Sequence, residues 1–255
     1  MQRIAKICRG IDNVLTFAVE ILLVAAILFA GYALWDTYMV YQSAMPNEEM
    51  LKFKPDLLNS TEGNESLLEL MTINADARAW LTIEDTFVDY PIMQGTDNMT
   101  YVNTDMYGEF SLSGSIFMDC RNASDFSDFY TLTYGHHMES GAMYGDIEKF
   151  RDEEYFLARN YAALYLPDST WTIELFACLA VDAYDNLVFN PRRDTGDEQT
   201  DEAYRRELLT YLKETAVHYR EIDVTTQDRI IGMSTCSQAS TNARTVVFGR
   251  MKQNL

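Results

Sequence analysis

From Val14 to Trp35 the chain carries one charged residue, Glu20, in a run of about 22 positions. Wound as a helix, that run spans roughly 33 Å, enough to cross the hydrocarbon core of a bilayer. It divides the chain: a short N-terminus over 1–13, a transmembrane signal-anchor over 14–35, and everything else beyond. Arg3, Lys6 and Arg9 precede the run, and this basic flank places the N-terminus in the cytoplasm. The expected topology is single-pass in the cell membrane, with the rest of the chain extracellular. Trp35 and Tyr38 are expected as aromatic anchors at the outer interface. No small-residue cleavage site follows, and the run is longer than a secretory h-region, so the anchor reads as uncleaved. Glu20 falls within two turns of the cytoplasmic edge, where a carboxylate is tolerated.

Beyond the anchor the composition is that of a folded, acidic body. The net charge is −19. Residues 1–35 set Arg3, Lys6 and Arg9 against Asp12 and Glu20, a balance of +1, so the remainder carries −20. Such a body repels phosphate backbones, which excludes nucleic acid as a partner class. A hydrophobic fraction of 47% with 13% aromatics supports a packed core and excludes disorder. Cys8 lies on the cytoplasmic side; Cys120, Cys178 and Cys236 lie outside, an odd number that leaves at least one thiol unpaired. Cys120 and Cys178 adjoin strand-like apolar segments and are expected to fill core space as small apolar residues. Their spacing leaves a disulfide between them open.

Residues 36–73, broken by Pro46 and Pro55, read as a stalk containing a short helix near Asn64–Met71. From 74 to 255 the texture is that of short strands separated by turn residues, as in an all-β barrel. The expected strands are Ala79–Ile83, Val88–Met93, Ser115–Met118, Phe129–Tyr134, Tyr161–Leu166, Thr170–Val181, Arg229–Cys236 and Thr245–Arg250. Two helical insertions are expected, a short charged one over Asp146–Arg159 and a longer one over Asp201–Tyr219. The longer one would place Tyr204, Leu208, Leu209, Leu212 and Val217 near one face. The fold class is therefore mainly β, a barrel with peripheral helices behind an N-terminal transmembrane helix.

The chain has 3 histidines and 4 cysteines, so few catalytic constellations are open to it. Cys236 ends the apolar segment Ile230-Ile231-Gly232-Met233-Ser234-Thr235-Cys236. Arg244 opens the next strand, and His136 lies about a hundred residues upstream in Tyr134-Gly135-His136-His137. A cysteine thiol ordinarily ionises near pH ~8.5 and reacts as the thiolate, which a nearby cation stabilises. Arginine is permanently charged and presents planar donors suited to an oxyanion. Histidine, which ionises near pH ~6.5, can protonate a leaving amine and deprotonate an incoming one. His137 would point away from its neighbour on an extended backbone, and that geometry also speaks against a zinc site. His218, at the end of the long helix, is expected to be solvated or capping. No Asp-x-Asp-x-Asp-Gly loop is present, so neither a metal nor a cofactor is expected.

Three stretches resemble the sortases, and class B sortases in particular. Thr131-Leu132-Thr133-Tyr134-Gly135-His136-His137-Met138, continued by Gly141-Ala142-Met143-Tyr144-Gly145-Asp146-Ile147, is similar to the segment carrying the family histidine. Ser234-Thr235-Cys236 followed by Arg244-Thr245-Val246-Val247-Phe248-Gly249-Arg250 resembles the Cys-to-Arg signature. Tyr90-Pro91-Ile92-Met93-Gln94-Gly95 through Gly114-Ser115-Ile116-Phe117-Met118-Asp119 resembles the strand-loop-strand leading to the active site. The likeness covers about Asn74 to Arg250.

The resemblance implies a sortase-type eight-stranded β-barrel with the class B extra helix, and a membrane-anchored cysteine transpeptidase of the Gram-positive cell surface. It assigns His136, Cys236 and Arg244 as catalytic, with Asn103, Ser234 and Thr235 as substrate-binding. Met233 stands where the family often has leucine, a volume-conserving exchange. Gln238 stands where some members carry a carboxylate. The implied reaction cleaves a C-terminal sorting signal through a thioester and passes the acyl group to a peptidoglycan-precursor amine or a pilin lysine. Two other readings fit the same residues: an endopeptidase using water as acceptor, and a non-catalytic acidic surface-binding protein. Papain-like proteases are disfavoured, because their nucleophile precedes their histidine.

Overall fold

The computed structural model of the chain describes residues 2–55, 63–236 and 243–254, with backbone alone for residues 2–9, Ser43 and Cys236. Two compact units result, Met1–Gln42 and Ser43–Leu255. The first consists of helix α1 (Gln2–Ala44), apart from its last two residues. Its stretch Gly10–Gln42 has a mean hydropathy of 2.5, and its large apolar side chains, from Ile11 to Met39, are exposed. Long enough and apolar enough to cross a membrane, it fits a membrane anchor. The helix stops two residues before Pro46, whose ring disfavours helical geometry at Met45.

The segment read as a stalk is divided. After Ala44 comes one turn of helix, α2 (Glu48–Leu51), begun by the Asn47 side chain accepting from Met50 N at 2.8 Å. Phe53 is buried, and with Leu67 and Leu70 of α3 (Glu65–Ile73) it packs against Trp80, Met93 and Tyr165. These residues form one of three apolar clusters.

The second unit is built on a closed barrel. Its strands are β1 (Ala77–Ile83), β2 (Asp89–Met93), β3 (Ile116–Met118), β4 (Tyr130–Gly135), β5 (Tyr161–Tyr165), β6 (Thr170–Asp182), β7 (His218–Tyr219), β8 (Arg229–Cys236) and β9 (Ala243–Gln253). The order is β5-β1-β2-β3-β4-β8-β9-β6, and a β5–β6 pairing closes the ring of eight, with β7 added to β6. Pairs β2–β3 and β4–β8 are parallel, the others antiparallel. The interior holds Leu81, Ile92, Met118, Ile231, Met233 and Val247. Outside, α5 (Glu198–Thr215) lays Tyr204, Leu208 and Leu212 over Leu179, Val246 and Phe248. Strands covered on both faces bury consecutive residues, which is why β4 is apolar or uncharged throughout instead of alternating.

Two helices differ from expectation. The long one runs Glu198–Thr215 and not Asp201–Tyr219. The chain turns extended at Ala216, and His218 and Tyr219 pair with Cys178 and Ala177 as β7. Val217 is consequently exposed and Leu209 only half-buried. His218 therefore does not cap the long helix: its ring stacks on Phe156, and Nε2 donates to the carbonyl of Arg151, the last residue of the 3-10 stretch Gly145–Arg151, at 2.8 Å. The segment expected as one helix over Asp146–Arg159 breaks into a 3-10 stretch, Gly145–Arg151, and α4 (Glu153–Ala158). The break is Asp152, in extended geometry, whose carboxylate accepts from Tyr155 N at 2.9 Å to start the second piece.

Candidate active site

The site grows from the ends of three neighbouring strands. β4 and β8 run parallel, and their last pair is Gly135 with Thr235. One residue further along each chain come His136 and Cys236. β9 runs back antiparallel and places Arg244 directly opposite Cys236. The histidine, the cysteine and the arginine of the sequence reading thus occupy one end of the sheet β4-β8-β9, although about a hundred residues separate the first two. The side chain of Cys236 and the whole of Gln238 lie outside the described residues.

A cavity of about 420 Å³ opens on this sheet end, lined by Tyr134, His136, Ser234, Thr235 and Arg244 from the strands. Asn98, Met99 and Val102 form one wall, and Ala183 and Phe189, from the connection between β6 and α5, form another. The lining is mostly apolar with a few convergent polar groups, the usual character of a peptide or ligand cleft.

His136 is held from two sides. Its Nε2 lies 2.7 Å from the Val102 carbonyl. A carbonyl only accepts, so Nε2 carries the hydrogen and Nδ1 of the neutral ring is left to exchange a proton. Its own carbonyl accepts from Tyr144 N at 3.0 Å. The preceding glycine is a steric requirement: a Cβ at Gly135 would stand 2.5 Å from Ile116 Cδ1 and 2.8 Å from Tyr144 Cγ. His137 goes elsewhere, its Nδ1 3.4 Å from Glu148 Oε2. The alternation expected of adjacent residues on an extended backbone separates the two rings.

Arg244 is half-buried, and burial pulls its guanidinium pKa down, partly opposed by Tyr134. An arginine so shifted remains cationic at neutral pH. Ser234 and Thr235 are buried and line the cavity. Asn103 does not: it is exposed at the end of the 3-10 turn Thr100–Val102, and its carbonyl accepts from Ser111 N at 3.0 Å. That turn carries it past the rim, and Asn98 lines the wall instead. Asp97 fixes the turn, its Oδ1 accepting from Met99 N and Thr100 N at 2.8 Å each. An aspartate followed by residues free to donate is readable as such a turn.

Sequence reasoning also passed over Asp119. Its side chain is fully buried, and it accepts hydrogen bonds from Asn98, Tyr134 and Arg121. Burial alone would push its pKa up; the Arg121 and Tyr134 hydrogen bonds outweigh this and hold it below the ordinary carboxylate value. A carboxylate directly after an apolar strand, with arginine two residues on, was the available signal.

Cys120 and Cys178 are both free thiols, so they share no disulfide. Cys178 is buried as expected, and burial pushes its thiol up to about 12. Cys120 is half-exposed on the turn after β3 and fills no core space. Its backbone N–H donates to Asn98 Oδ1 at 2.8 Å, which keeps the turn at the surface.

No protein-family model matches the chain. Sortase B of Listeria monocytogenes is 31% identical over 192 residues, 74% of this chain and 75% of its own length. Among solved structures, a Streptococcus pyogenes class B sortase involved in pilus biogenesis is 38% identical with a TM-score of 0.64, covering 72% of this chain and 96% of that one. The Staphylococcus aureus sortase B–substrate complex is 26% identical with a TM-score of 0.71, covering 82% and 94%. A closed eight-stranded barrel with relatives of this identity and coverage leaves one assignment: the chain belongs to the class B sortases, which are cysteine transpeptidases.

Proposed function

We propose that Cys236, His136 and Arg244 carry the transpeptidation and that the 420 Å³ cavity receives the sorting signal of another exported protein. The observation that carries this reading is the register of the three strand ends, Gly135 with Thr235 and Cys236 with Arg244. His136 Nδ1 takes the thiol proton as the sulfur attacks the peptide carbonyl. The carbonyl electron pair moves to oxygen, and Arg244 donates hydrogen bonds to that oxyanion. The C–N bond then breaks, the imidazolium gives its proton to the departing amine, and a thioester remains on Cys236. An incoming amine reverses the sequence: it attacks the thioester, gives a proton to His136, and leaves with the acyl group as a new amide.

The acceptor is an amine of the cell wall or a pilin lysine; the pilus role named for the Streptococcus pyogenes relative supports the second. The anchor fits this work. Arg3, Lys6 and Arg9 ahead of the apolar stretch of α1 favour a cytoplasmic N-terminus, which puts the barrel on the outer face where exported substrates emerge.

The test is incubation with a panel of sorting peptides, with and without an amine, followed by mass spectrometry. An acyl adduct on Cys236, and product that requires the amine, are expected. Product from Cys236→Ala would refute the assignment, and amine-independent hydrolysis alone would make the protein an endopeptidase.

A further inference from the structure

Three walls of the cavity meet at a single buried carboxylate. Asp119 lies immediately beyond β3 with its side chain fully covered. Its Oδ2 accepts from Asn98 Nδ2 at 2.9 Å and from the Tyr134 hydroxyl at 2.8 Å. Asn98 belongs to the first wall and Tyr134 to the sheet floor. Arg121 forks onto the same carboxylate, Nε to Oδ1 at 2.8 Å and NH2 to Oδ2 at 2.6 Å. The guanidinium then reaches the opposite wall: NH2 donates to the Phe189 carbonyl at 2.8 Å and NH1 to Asn190 Oδ1 at 2.7 Å. A second arginine stitches the same connection down, Arg193 Nε donating to the Arg121 carbonyl at 2.6 Å and NH2 to the Asn122 carbonyl at 2.9 Å.

The connection from β6 to α5 carries Ala183 and Phe189 into the cavity lining without regular secondary structure. Val188 is buried, its carbonyl accepting from the Tyr130 hydroxyl at 3.0 Å, and the Phe189 and Asn190 that follow it are held by Arg121. Among the described contacts, the Arg121 guanidinium is what joins Phe189 and Asn190 to the carboxylate that also anchors Asn98 and Tyr134. We propose that the Asp119–Arg121 pair is a positioning element that sets the width of the peptide groove before the peptide arrives. This deepens the reading of the cavity as the sorting-signal groove and rests on it. Neither residue lines the cavity, so the pair acts through the walls and not on the reacting atoms.

The chemistry calls for arginine. A planar guanidinium can fork onto a carboxylate through two nitrogens and still offer N–H groups to two further acceptors. An ammonium group has three donors at one point and cannot span from Asp119 to Phe189. Arg121→Lys therefore frees Phe189 and Asn190 from Asp119 while leaving a cation in place, although the Tyr130 hydroxyl still donates to the Val188 carbonyl at 3.0 Å. A groove that must be ordered by its ligand binds that ligand more weakly, because the ordering is charged against binding.

The test uses the full-length protein in detergent micelles with a sorting peptide that it turns over. Arg121→Met and Arg121→Lys are expected to raise the peptide KM about tenfold while kcat at saturation stays within about twofold. Alkylation of Cys236 by iodoacetamide, followed at the Cys236-containing peptide by mass spectrometry, is expected to keep its wild-type rate, because that small reagent needs no groove. Asp119→Asn, which keeps an acceptor for Tyr134 but loses the charge under Arg121, is expected to shift KM in the same direction. Wild-type KM in both Arg121 variants would overturn the proposal. So would a fall in kcat and alkylation rate at unchanged KM, since the pair would then act on the reacting groups. Turnover by Cys236→Ala would show the groove itself to be misassigned, a failure visible without any change at Arg121.

Discussion

Replacing Gly114 with alanine separates the cost of a backbone conformation from the cost of moving a catalytic support. Gly114 has φ +58°, and a Cβ there would lie 2.4 Å from the Val102 carbonyl oxygen and 2.5 Å from that of Tyr101. The left-handed conformation costs an L-residue roughly 1–2 kcal/mol. Relieving overpacking against backbone adds about 1–3 kcal/mol, so Gly114→Ala should lose ~2–5 kcal/mol. For a domain of this size each kcal/mol lowers Tm by about 2–4 °C, giving a drop of roughly 5–20 °C. The oxygen that must yield is the one holding His136 Nε2, and normal van der Waals separation requires it to retreat by roughly 1 Å. A misplacement of that size costs on the order of a hundredfold in turnover. Gly108→Ala is the control: φ is +88°, with nothing within 4 Å of the added Cβ. It should lose only the conformational ~1–2 kcal/mol and keep its activity. The assay is thermal unfolding together with kcat for sorting-peptide cleavage, measured well below both midpoints. If Gly114→Ala lowers Tm no further than Gly108→Ala and retains kcat, the link from Gly114 through Val102 to His136 is wrong.

Three further outcomes are expected. His136→Ala should reduce turnover by at least about a hundredfold, whereas His137→Ala, which loses its Glu148 contact, should stay within about tenfold of wild type; equal losses would reverse the choice between the two rings. Tyr90→Phe removes the hydroxyl that donates to the Ala44 carbonyl at 2.9 Å and accepts from Met143 N at 2.9 Å. Leaving that buried N–H and carbonyl unpaired should cost about 1–3 kcal/mol in urea unfolding, and an unchanged midpoint would contradict it. Because the Asp119 carboxyl is held below its ordinary value in the fold, its contribution is complete above the unfolded pKa of about 4 and is lost as pH falls through the lower folded value. The wild-type Tm should therefore decline more steeply than that of Asp119→Asn below about pH 4, and parallel curves would argue against it.

How far the sequence could be read depended on whether the signal was local. Strands β1 to β9, apart from the two-residue β7, show as apolar runs between turn residues, and the middle of α1 as the apolar stretch from Val14 to Trp35 broken only by Glu20; its continuation to Ala44 reads as stalk. The strand-end positions of His136, Cys236 and Arg244, the proposed catalytic residues, were legible because each adjoins an apolar run. Asn103 does not line the cavity because a single 3-10 turn decides which side chain faces inward, and that turn depends on Asp97 Oδ1 holding two backbone N–H groups. β7 was hidden within the apparent helix because His218 and Tyr219 become a strand only where β6 offers an edge. Phe53 read as part of a stalk, since burial against Leu67 and Leu70 is a tertiary fact. The Asp119 network joins residues as distant as Asn98 and Phe189, and no spacing rule announces it.

The parallel pairing of β4 with β8 has a consequence for when the enzyme becomes competent. Tyr130 pairs with Ile230, so β5, β6, α5 and β7 must all be laid down between the two partners. Such distant pairing is slow to form, and β9, which delivers Arg244, ends only at Gln253. On the proposed assignment, a nascent or C-terminally shortened chain without β9 would hold Cys236 with no Arg244 opposite it. On that assignment, the site is therefore complete only once β9 has paired with β8 and brought Arg244 opposite Cys236.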